Sequence, residues 1–145
     1  MPRLVLDTGP LGRIAHPSAD PANSEILRWL VAWLRRGAEV FVPEIADYEL
    51  RRELLRAGLQ ASVERLDQLK RELHYLPLTT PVMLQAAAFW AEARKNHQPA
   101  APRDALDGDM ILAAQATSVG ATIATENVEH LARFADARHW REITS

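Results

Sequence analysis

Acidic and hydroxyl side chains follow a short apolar segment near the start of the chain. Leu4-Val5-Leu6 is followed by Asp7, Thr8 and then Gly9-Pro10. The segment has the length and composition of a buried strand, and the Gly-Pro pair ends it. A carboxylate at the end of a buried strand is costly unless a partner such as a metal ion compensates its charge. Asp7 is therefore a candidate metal ligand, while a purely local role as a turn-capping residue stays open.

Further acids and hydroxyls follow other predicted strands or open predicted helices. They are the acids Glu44, Glu49, Asp104, Asp107 and Asp109 and the hydroxyl residue Thr125, which is followed by the amide residue Asn127. Because the carboxyl ends of parallel strands meet at one edge of a sheet, acids from distant parts of the chain can converge there. An oxygen-only cluster of this kind suits Mg²⁺ or Mn²⁺, held by a few carboxylates and several waters. Such an ion can generate hydroxide and stabilise an in-line displacement at phosphorus.

Asp109 carries the sharpest of these signals. It immediately precedes the apolar segment Met110–Ala116, which predicts a buried helix where an unpaired acid would be expensive. The alternative is an acid favoured by the helix dipole, an argument that covers Asp107 equally well. Glu49 lies near the apolar face of its predicted helix, where a salt bridge to Arg52 is the competing interpretation.

Composition sets limits on the function. The chain has 145 residues, 48% of them hydrophobic and 25% charged, with a net charge of -2 and no cysteine. Its length predicts a single domain over residues 1–145, and the absence of cysteine excludes disulfides, zinc–thiolate sites and cysteine nucleophiles. The net charge gives no global case for nucleic-acid binding, so any such site must be local. Without a membrane-length apolar segment or a secretory signal, we expect a cytoplasmic protein and no membrane partner.

Strand and helix signals alternate along the whole chain. The periodicity and the stop signals predict, in order, strand Arg3–Leu6, a Pro-rich loop His16–Asn23, a helix capped by Ser24 and ended by Gly37, strand Glu39–Val42, helix Glu44–Ala57, helix Ala61–Leu73, strand His74–Leu78, helix Pro81–Asn96, a loop His97–Arg103, helix Leu106–Val119, strand Ala121–Ala124, a short helix or turn Glu126–Phe134 and a final strand Trp140–Thr144. This alternation predicts an α/β fold with a mainly parallel sheet of four to five strands, covered by helices on both faces.

Four segments of the chain together resemble the PIN-domain nucleases, and within them the VapC-type toxins of toxin–antitoxin pairs. Leu4–Thr8 looks like the opening strand and first acid, and Val42–Leu50 resembles the second element, with Glu49 as the matching acid. Asp109–Ala116 is similar to the third element, an Asp that opens an Ala-rich helix. Gly120–Asn127 resembles the fourth, a strand that ends in Thr-x-Asn or Thr-x-Asp. The four occur in the family's order and spacing over nearly the whole chain.

The resemblance implies a three-layer α/β/α fold and endoribonuclease activity that depends on Mg²⁺ or Mn²⁺. It implies Asp7, Glu49 and Asp109 as catalytic metal ligands, with Asp107 as a further ligand. Thr8, Thr125 and Asn127 would position waters or phosphate oxygens. A cognate antitoxin that blocks the site and a homodimer are further implications. We predict that Asp109 is a stronger ligand than Asp107, and Glu44 remains a rival to Glu49.

One departure from the family pattern supports a second interpretation. The position of the fourth acid holds Asn127, so the cluster has less negative charge there. A PIN-like module that binds RNA or a protein without cleaving is the alternative function. The aromatic residues bear on assembly instead. We expect self-association through helices whose apolar residues exceed what a small sheet needs; these residues are Trp29, Trp33, Ala86, Ala87, Phe89 and Trp90.

Overall fold

Five parallel strands form the central sheet in the part of the chain that the structure describes. This computed structural model describes residues 2–95 and 103–144, apart from the side chains of residues 103–105. The strands are β1 (Arg3–Leu6), β2 (Glu39–Pro43), β3 (His74–Leu76), β4 (Thr122–Thr125) and β5 (Ala137–His139). Their order is β3-β2-β1-β4-β5, and each neighbouring pair is parallel. The carboxyl ends of all five therefore lie at one edge.

Helices connect the strands and cover both faces of the sheet. They are α1 (Thr8–Ala15), α2 (Pro21–Arg35), α3 (Glu44–Arg56), α4 (Gln60–Glu72), α5 (Thr80–Lys95), α6 (Arg103–Ser118) and α7 (Val128–Leu131), with a final 3₁₀ turn at Trp140–Glu142. Leu4 and Leu6 of β1 pack with residues of α1, α2 and α4, whereas Val5 packs on the other face with residues of α6. The alternation along β1 thus separates two cores, and the predicted three-layer α/β/α fold is confirmed.

Helix α1 is a correction to the sequence prediction. Gly9-Pro10 does end β1, but both residues lie inside α1, which begins at Thr8. Proline is tolerated in the first turn of a helix, because the backbone N–H groups there have no intrahelical acceptor. The Asp7 side chain caps this helix by accepting a hydrogen bond from the Thr8 amide at 2.7 Å. Asp7 therefore caps α1 and also lies at the edge of the sheet.

Two further predicted boundaries are wrong for local reasons. Helix α2 begins at Pro21, and its cap is Asp20, whose side chain accepts from the Asn23 amide at 2.9 Å; Ser24 already lies within the helix. The final strand is Ala137–His139, not Trp140–Thr144. The His139 Nδ1 accepts from the Arg141 amide at 3.1 Å, and this turns the chain into the 3₁₀ segment. The predicted loop His97–Arg103 lies outside the described residues up to residue 102.

The aromatic residues of α2 belong to the interior of the protein. Trp33 is buried, and the indole N–H groups of Trp29 and Trp33 both donate to the Ile143 carbonyl oxygen, at 3.1 and 3.2 Å. Trp29 also packs edge-on against Trp140, with ring centroids 5.9 Å apart. The expectation that Trp33 forms part of an association surface is therefore wrong, whereas Trp29 is half-buried. On α5, Ala86 is buried and Ala87 is exposed. None of the helices described here is both long enough and apolar enough to span a bilayer.

Candidate active site

Asp7 lies at the carboxyl end of β1, between the two strands that flank it. The Thr125 hydroxyl, at the end of neighbouring β4, donates to Asp7 Oδ2 at 2.7 Å. The Asp7 amide also donates to the Ala124 carbonyl at 3.0 Å, which continues the ladder to the sheet edge. Burial raises the pKa of Asp7, the bonds from Thr125 and the Thr8 amide oppose that rise, and the charge of Glu126 adds to it. The hydrogen bonds from the Thr125 hydroxyl and the Thr8 amide hold the Asp7 carboxyl at the edge of the sheet.

Glu49 reaches the same edge from α3. The Thr8 hydroxyl donates to Glu49 Oε1 at 2.9 Å, so the residue after Asp7 holds the second acid. The carboxylate of Glu49 also lies against Gly108, so closely that a Cβ at position 108 would collide with Glu49 Oε2. Glycine at 108 therefore lets the second acid pass beside the first turns of α6. Gly108 is not among the predicted site residues, although a glycine between two acids in a predicted helix is a usable sequence signal.

Asp109 is the third acid at this edge and lies in the second turn of α6, because this helix begins at Arg103, three residues earlier than predicted. Burial and, next, the charge of Asp7 raise its pKa to about 6; His130 opposes the rise and Glu49 adds to it. The three carboxyls therefore stand close enough to repel one another. His130, on α7, is a site neighbour that the scattered histidines did not reveal in the sequence. A region where negative charge is penalised in this way favours a bound cation.

The buried Gln115 fixes the two acid-bearing helices relative to the sheet. Its side-chain oxygen accepts from the Ile45 amide at 3.2 Å, at the start of α3, and its amide nitrogen donates to the Leu76 carbonyl at 2.8 Å. Gln115 lies on α6, six residues after Asp109. One side chain therefore links α6, the first turn of α3 and the end of β3. This link holds Glu49 and Asp109 at a defined separation.

The donor set suits a hydrated hard cation. Within residues 2–95 and 106–144, no group of three His, Cys, Asp or Glu side chains is arranged tightly enough to hold an ion by itself. Mg²⁺, however, typically uses one or two carboxylates and keeps several waters. Asp7, Glu49 and Asp109 supply only oxygen, and two of them have raised pKa values. The chemistry of the set therefore fits Mg²⁺ or Mn²⁺ bound partly through water.

The other predicted site residues have different environments. Asp107 is exposed and lines a cavity with Glu49. The Asn127 side chain belongs to an exposed residue, and the backbone N–H of Asn127 donates to the Thr125 hydroxyl at 2.9 Å. Glu44 is engaged elsewhere, since its carboxylate accepts from the Leu78 amide at 2.7 Å. Asp104 falls among the side chains that the structure does not describe.

An ion pair that sequence analysis missed borders Asp7. The guanidinium of Arg13, on α1, donates to Glu126 Oε1 at 2.7 Å. Glu126 follows Thr125 directly, and a Cβ at position 9 would lie 3.4 Å from its carboxylate. Opposite charges 113 residues apart in sequence give no local signal, so their pairing became visible only in the fold.

A second buried acid on α3 has a different environment. Asp47 accepts hydrogen bonds from Arg51 at 2.9 Å and from Lys70 at 3.0 Å, and Arg51 also pairs with Asp67 at 2.7 Å. We call Asp47, Arg51, Asp67 and Lys70 the Asp47 cluster. The two carboxylates of this cluster balance its two cations. Both acids of this cluster thus bind the Arg51 guanidinium.

Solved structures with the same fold come from toxin–antitoxin complexes. VapBC2 from Rickettsia felis, bound to a DNA fragment from its promoter, is similar with a TM-score of 0.74 and 14% identity, over 95% of this chain and 98% of that chain. FitAcB from Neisseria gonorrhoeae gives 0.69 and 18%, over 97% and 99%. The DNA-bound VapBC from Salmonella typhimurium gives 0.65 and 19%, over 97% and 99%. At these identities the likeness establishes the fold.

The comparison with protein families is more specific. No curated protein sequence is significantly similar to this chain. The PIN domain model, however, matches residues 4–137, a range that includes every acid of the sheet edge and both hydroxyls that bind them. Together with the parallel sheet and the convergence of Asp7, Glu49 and Asp109 at its carboxyl edge, this match shows that the chain belongs to the PIN-domain family.

Proposed function

We propose that this protein is a metal-dependent endoribonuclease and the toxin of a toxin–antitoxin pair. The observation that carries the proposal is the meeting of three carboxyls from β1, α3 and α6. Burial raises the pKa of two of them, Asp7 and Asp109, and the charge of Asp7 adds to the rise at Asp109. Asp7, Glu49 and Asp109 hold Mg²⁺ or Mn²⁺, and Asp107 contributes through water. A bound ion of this kind activates water and offsets the charge that develops on the scissile phosphate.

The chain's own hydroxyls orient the acids for this task. Thr125 donates to Asp7 and Thr8 donates to Glu49, so each carboxylate presents its remaining lone pairs in a fixed direction. Asn127 lies exposed two residues beyond Thr125, where its amide group is available to a phosphate oxygen or a water. Arg13 neutralises Glu126 beside the edge, which limits the repulsion that an incoming phosphate meets.

Cleavage of single-stranded RNA by the purified protein tests the proposal. We expect cleavage with Mg²⁺ or Mn²⁺, none with a chelator, and a loss of at least about 100-fold in Asp7→Asn. Asp136→Asn is a matched control, because Thr122 donates to Asp136 at 2.6 Å at the opposite end of β4 and so forms a similar Asp–Thr pair. Wild-type cleavage by Asp7→Asn would show that Asp7 is not a ligand.

An antitoxin and a second copy of the chain are the proposed protein partners. The structural neighbours named above are VapBC and FitAcB complexes, and this supports a cognate antitoxin. In our proposal the antitoxin covers the acidic edge, and both proteins are cytoplasmic. Expression of this chain alone should arrest growth, and co-expression of the antitoxin should relieve the arrest. Light scattering of the purified chain tests the homodimer.

A PIN-like module that binds RNA or a protein without cleaving is the second candidate. It is favoured by Asn127, which replaces an acid and removes one negative charge from the edge. RNA binding without metal-stimulated cleavage would support it. If Asn127→Asp then produced cleavage, the missing charge would be the reason for the inactivity.

A further inference from the structure

An exposed aromatic side chain stands beside the acids on α3. The side chain of Tyr48 is 57% exposed, although the residue adjoins Glu49. The Arg52 guanidinium, one helical turn further on, lies 5.1 Å from the centre of the Tyr48 ring. Tyrosine is intermediate in burial among residue types, and a ring exposed next to a cluster of acids is open to contact by a molecule bound there.

The ring and the guanidinium border a cavity that opens next to the acids. The cavity has a volume of about 300 Å³, and its lining residues are Ile45, Tyr48, Glu49, Arg52, Asp107, Gly108 and Ile111. This volume is within the range of small-molecule sites. Two isoleucines provide apolar surface, Tyr48 and Arg52 provide planar groups, and Glu49 and Asp107 provide carboxylates. The cavity therefore combines an apolar, planar pocket with direct access to the acids.

We propose that Tyr48 and Arg52 form a stacking subsite for one nucleobase of a single-stranded nucleic acid, next to the phosphate that is cleaved. The inference rests on the proposed nuclease function and names how that site holds its substrate. Aromatic rings and Arg planes are the surfaces on which unstacked bases pack in single-strand recognition. Arg52 also supplies a positive charge in a region otherwise rich in carboxylates, so it attracts the adjacent backbone phosphate.

Nucleobase stacking predicts a preference for single strands over duplexes. A base in a duplex is already stacked on its neighbours, so its faces are not available to Tyr48. Stacking also tolerates sequence changes, because every base has a flat face. The specificity that this subsite contributes is therefore for strandedness, and any sequence preference comes from other contacts.

Binding of short fluorescent oligonucleotides tests the subsite separately from cleavage. The Asp7→Asn background with Mg²⁺ keeps the strand intact, which a gel verifies, and fluorescence anisotropy gives Kd. Tyr48→Ala should raise Kd for single-stranded RNA by about 5- to 100-fold, whereas Tyr48→Phe should retain the affinity. Leu55→Ala is the matched control, since Leu55 is 58% exposed on the same helix, seven residues beyond Tyr48.

Two further arms separate stacking from charge. Arg52→Gln should weaken binding and reduce the slope of log Kd against log salt by about 0.7, whereas Arg56→Gln, a change to an arginine that pairs with Glu53 at 2.8 Å, should leave the slope unchanged. Tyr48→Ala should alter neither the slope nor the affinity for a strand of abasic sugar-phosphate. Parallel titrations with single-stranded DNA identify which sugar the subsite accepts.

The outcomes distinguish this inference from the nuclease proposal. Equal Kd values for Tyr48→Ala and Leu55→Ala, or an equal loss with the abasic strand, would overturn the subsite even if the wild type cleaves RNA. Binding that depends on Tyr48 without any cleavage by the wild type would sustain the subsite and overturn the nuclease. A Tyr48→Ala variant that loses only a protein partner would show that this surface binds protein instead.

Discussion

Helix α3 carries two carboxylates, two residues apart, whose environments are opposite. Asp47 is buried and bonded to two cations, Arg51 and Lys70. Glu49 accepts from the neutral hydroxyl of Thr8 and faces Asp109, another acid. The Asp47 cluster is balanced within the protein, whereas the edge formed by Asp7, Glu49 and Asp109 has an excess of negative charge. The charge of Asp47 is balanced by cations of the protein itself, so this acid belongs to the folded structure. Acids without such cations indicate that a ligand from outside the protein balances their charge.

The largest expected difference between the two regions is in stability. Asp47→Asn removes the acid that Arg51 and Lys70 share, so we expect the free energy of unfolding to fall by about 2–3 kcal/mol, less than for a fully buried pair because both cations are partly exposed. Asp7→Asn in metal-free buffer should instead raise that free energy, because it relieves repulsion at the edge. Urea unfolding of both variants measures the difference. If Asp47→Asn raised the free energy of unfolding, the contrast between the balanced Asp47 cluster and the negatively charged edge would be wrong.

Gly108 offers a way to disturb the edge without unfolding the protein. Alanine at 108 would place its Cβ against the Glu49 carboxylate, and the flexible end of Glu49 would have to move away from Thr8. Alanine is also favoured over glycine inside a helix by about 0.5–1 kcal/mol, which offsets the local crowding. We expect Gly108→Ala to lower RNA cleavage by about 10-fold with a change in unfolding free energy within about 0.5 kcal/mol.

The control for Gly108→Ala is the same change at a glycine away from Glu49. Gly12 lies on α1, where a Cβ would meet the Leu50 side chain at 3.4 Å, an ordinary contact distance. Gly12→Ala should therefore keep full cleavage. Unchanged cleavage in Gly108→Ala would show that the position of Glu49 does not limit the reaction.

The pH dependence of metal-free stability separates Asp109 from an ordinary surface acid. Its pKa is about 6 in the folded protein against an ordinary 3.8. The folded state therefore holds this proton more tightly than the unfolded state, and stability falls as the pH rises through this window. Compared with Asp109→Asn, the wild type should lose about 1 kcal/mol between about pH 4 and pH 7, a value reduced for partial exposure. A constant difference across this range would contradict the raised pKa.

The sequence predicted the sheet and its acids because their signals are local. Short apolar runs marked four strands, and the alternation of strands with helices along the chain predicted their parallel pairing. Helix α1 was not predicted, because Gly9-Pro10 is a strong turn signal. The same proline is also compatible with the first turn of a helix. The choice of Glu49 over Glu44 depends on bonds to Thr8 and Leu78, which come from other elements. Likewise, only tertiary contacts show that Asp47 is paired with Arg51 and Lys70, whereas Asp109 faces other acids.

The smallest predicted effect concerns the two acids on either side of Gly108. Asp109 is partly buried and near Asp7, whereas Asp107 is exposed on the cavity side. Because successive helix positions project in different directions, the two carboxyls do not reach one ion equally. Calorimetric titration with Mn²⁺ should show a loss of affinity of about 10-fold or more for Asp109→Asn and about 3-fold or less for Asp107→Asn. Glu53→Gln, an exposed acid further along α3, should bind like the wild type. Equal losses in Asp107→Asn and Asp109→Asn would mean that both acids coordinate the ion directly, and the boundary of the uncompensated edge would then extend to the cavity beside Tyr48.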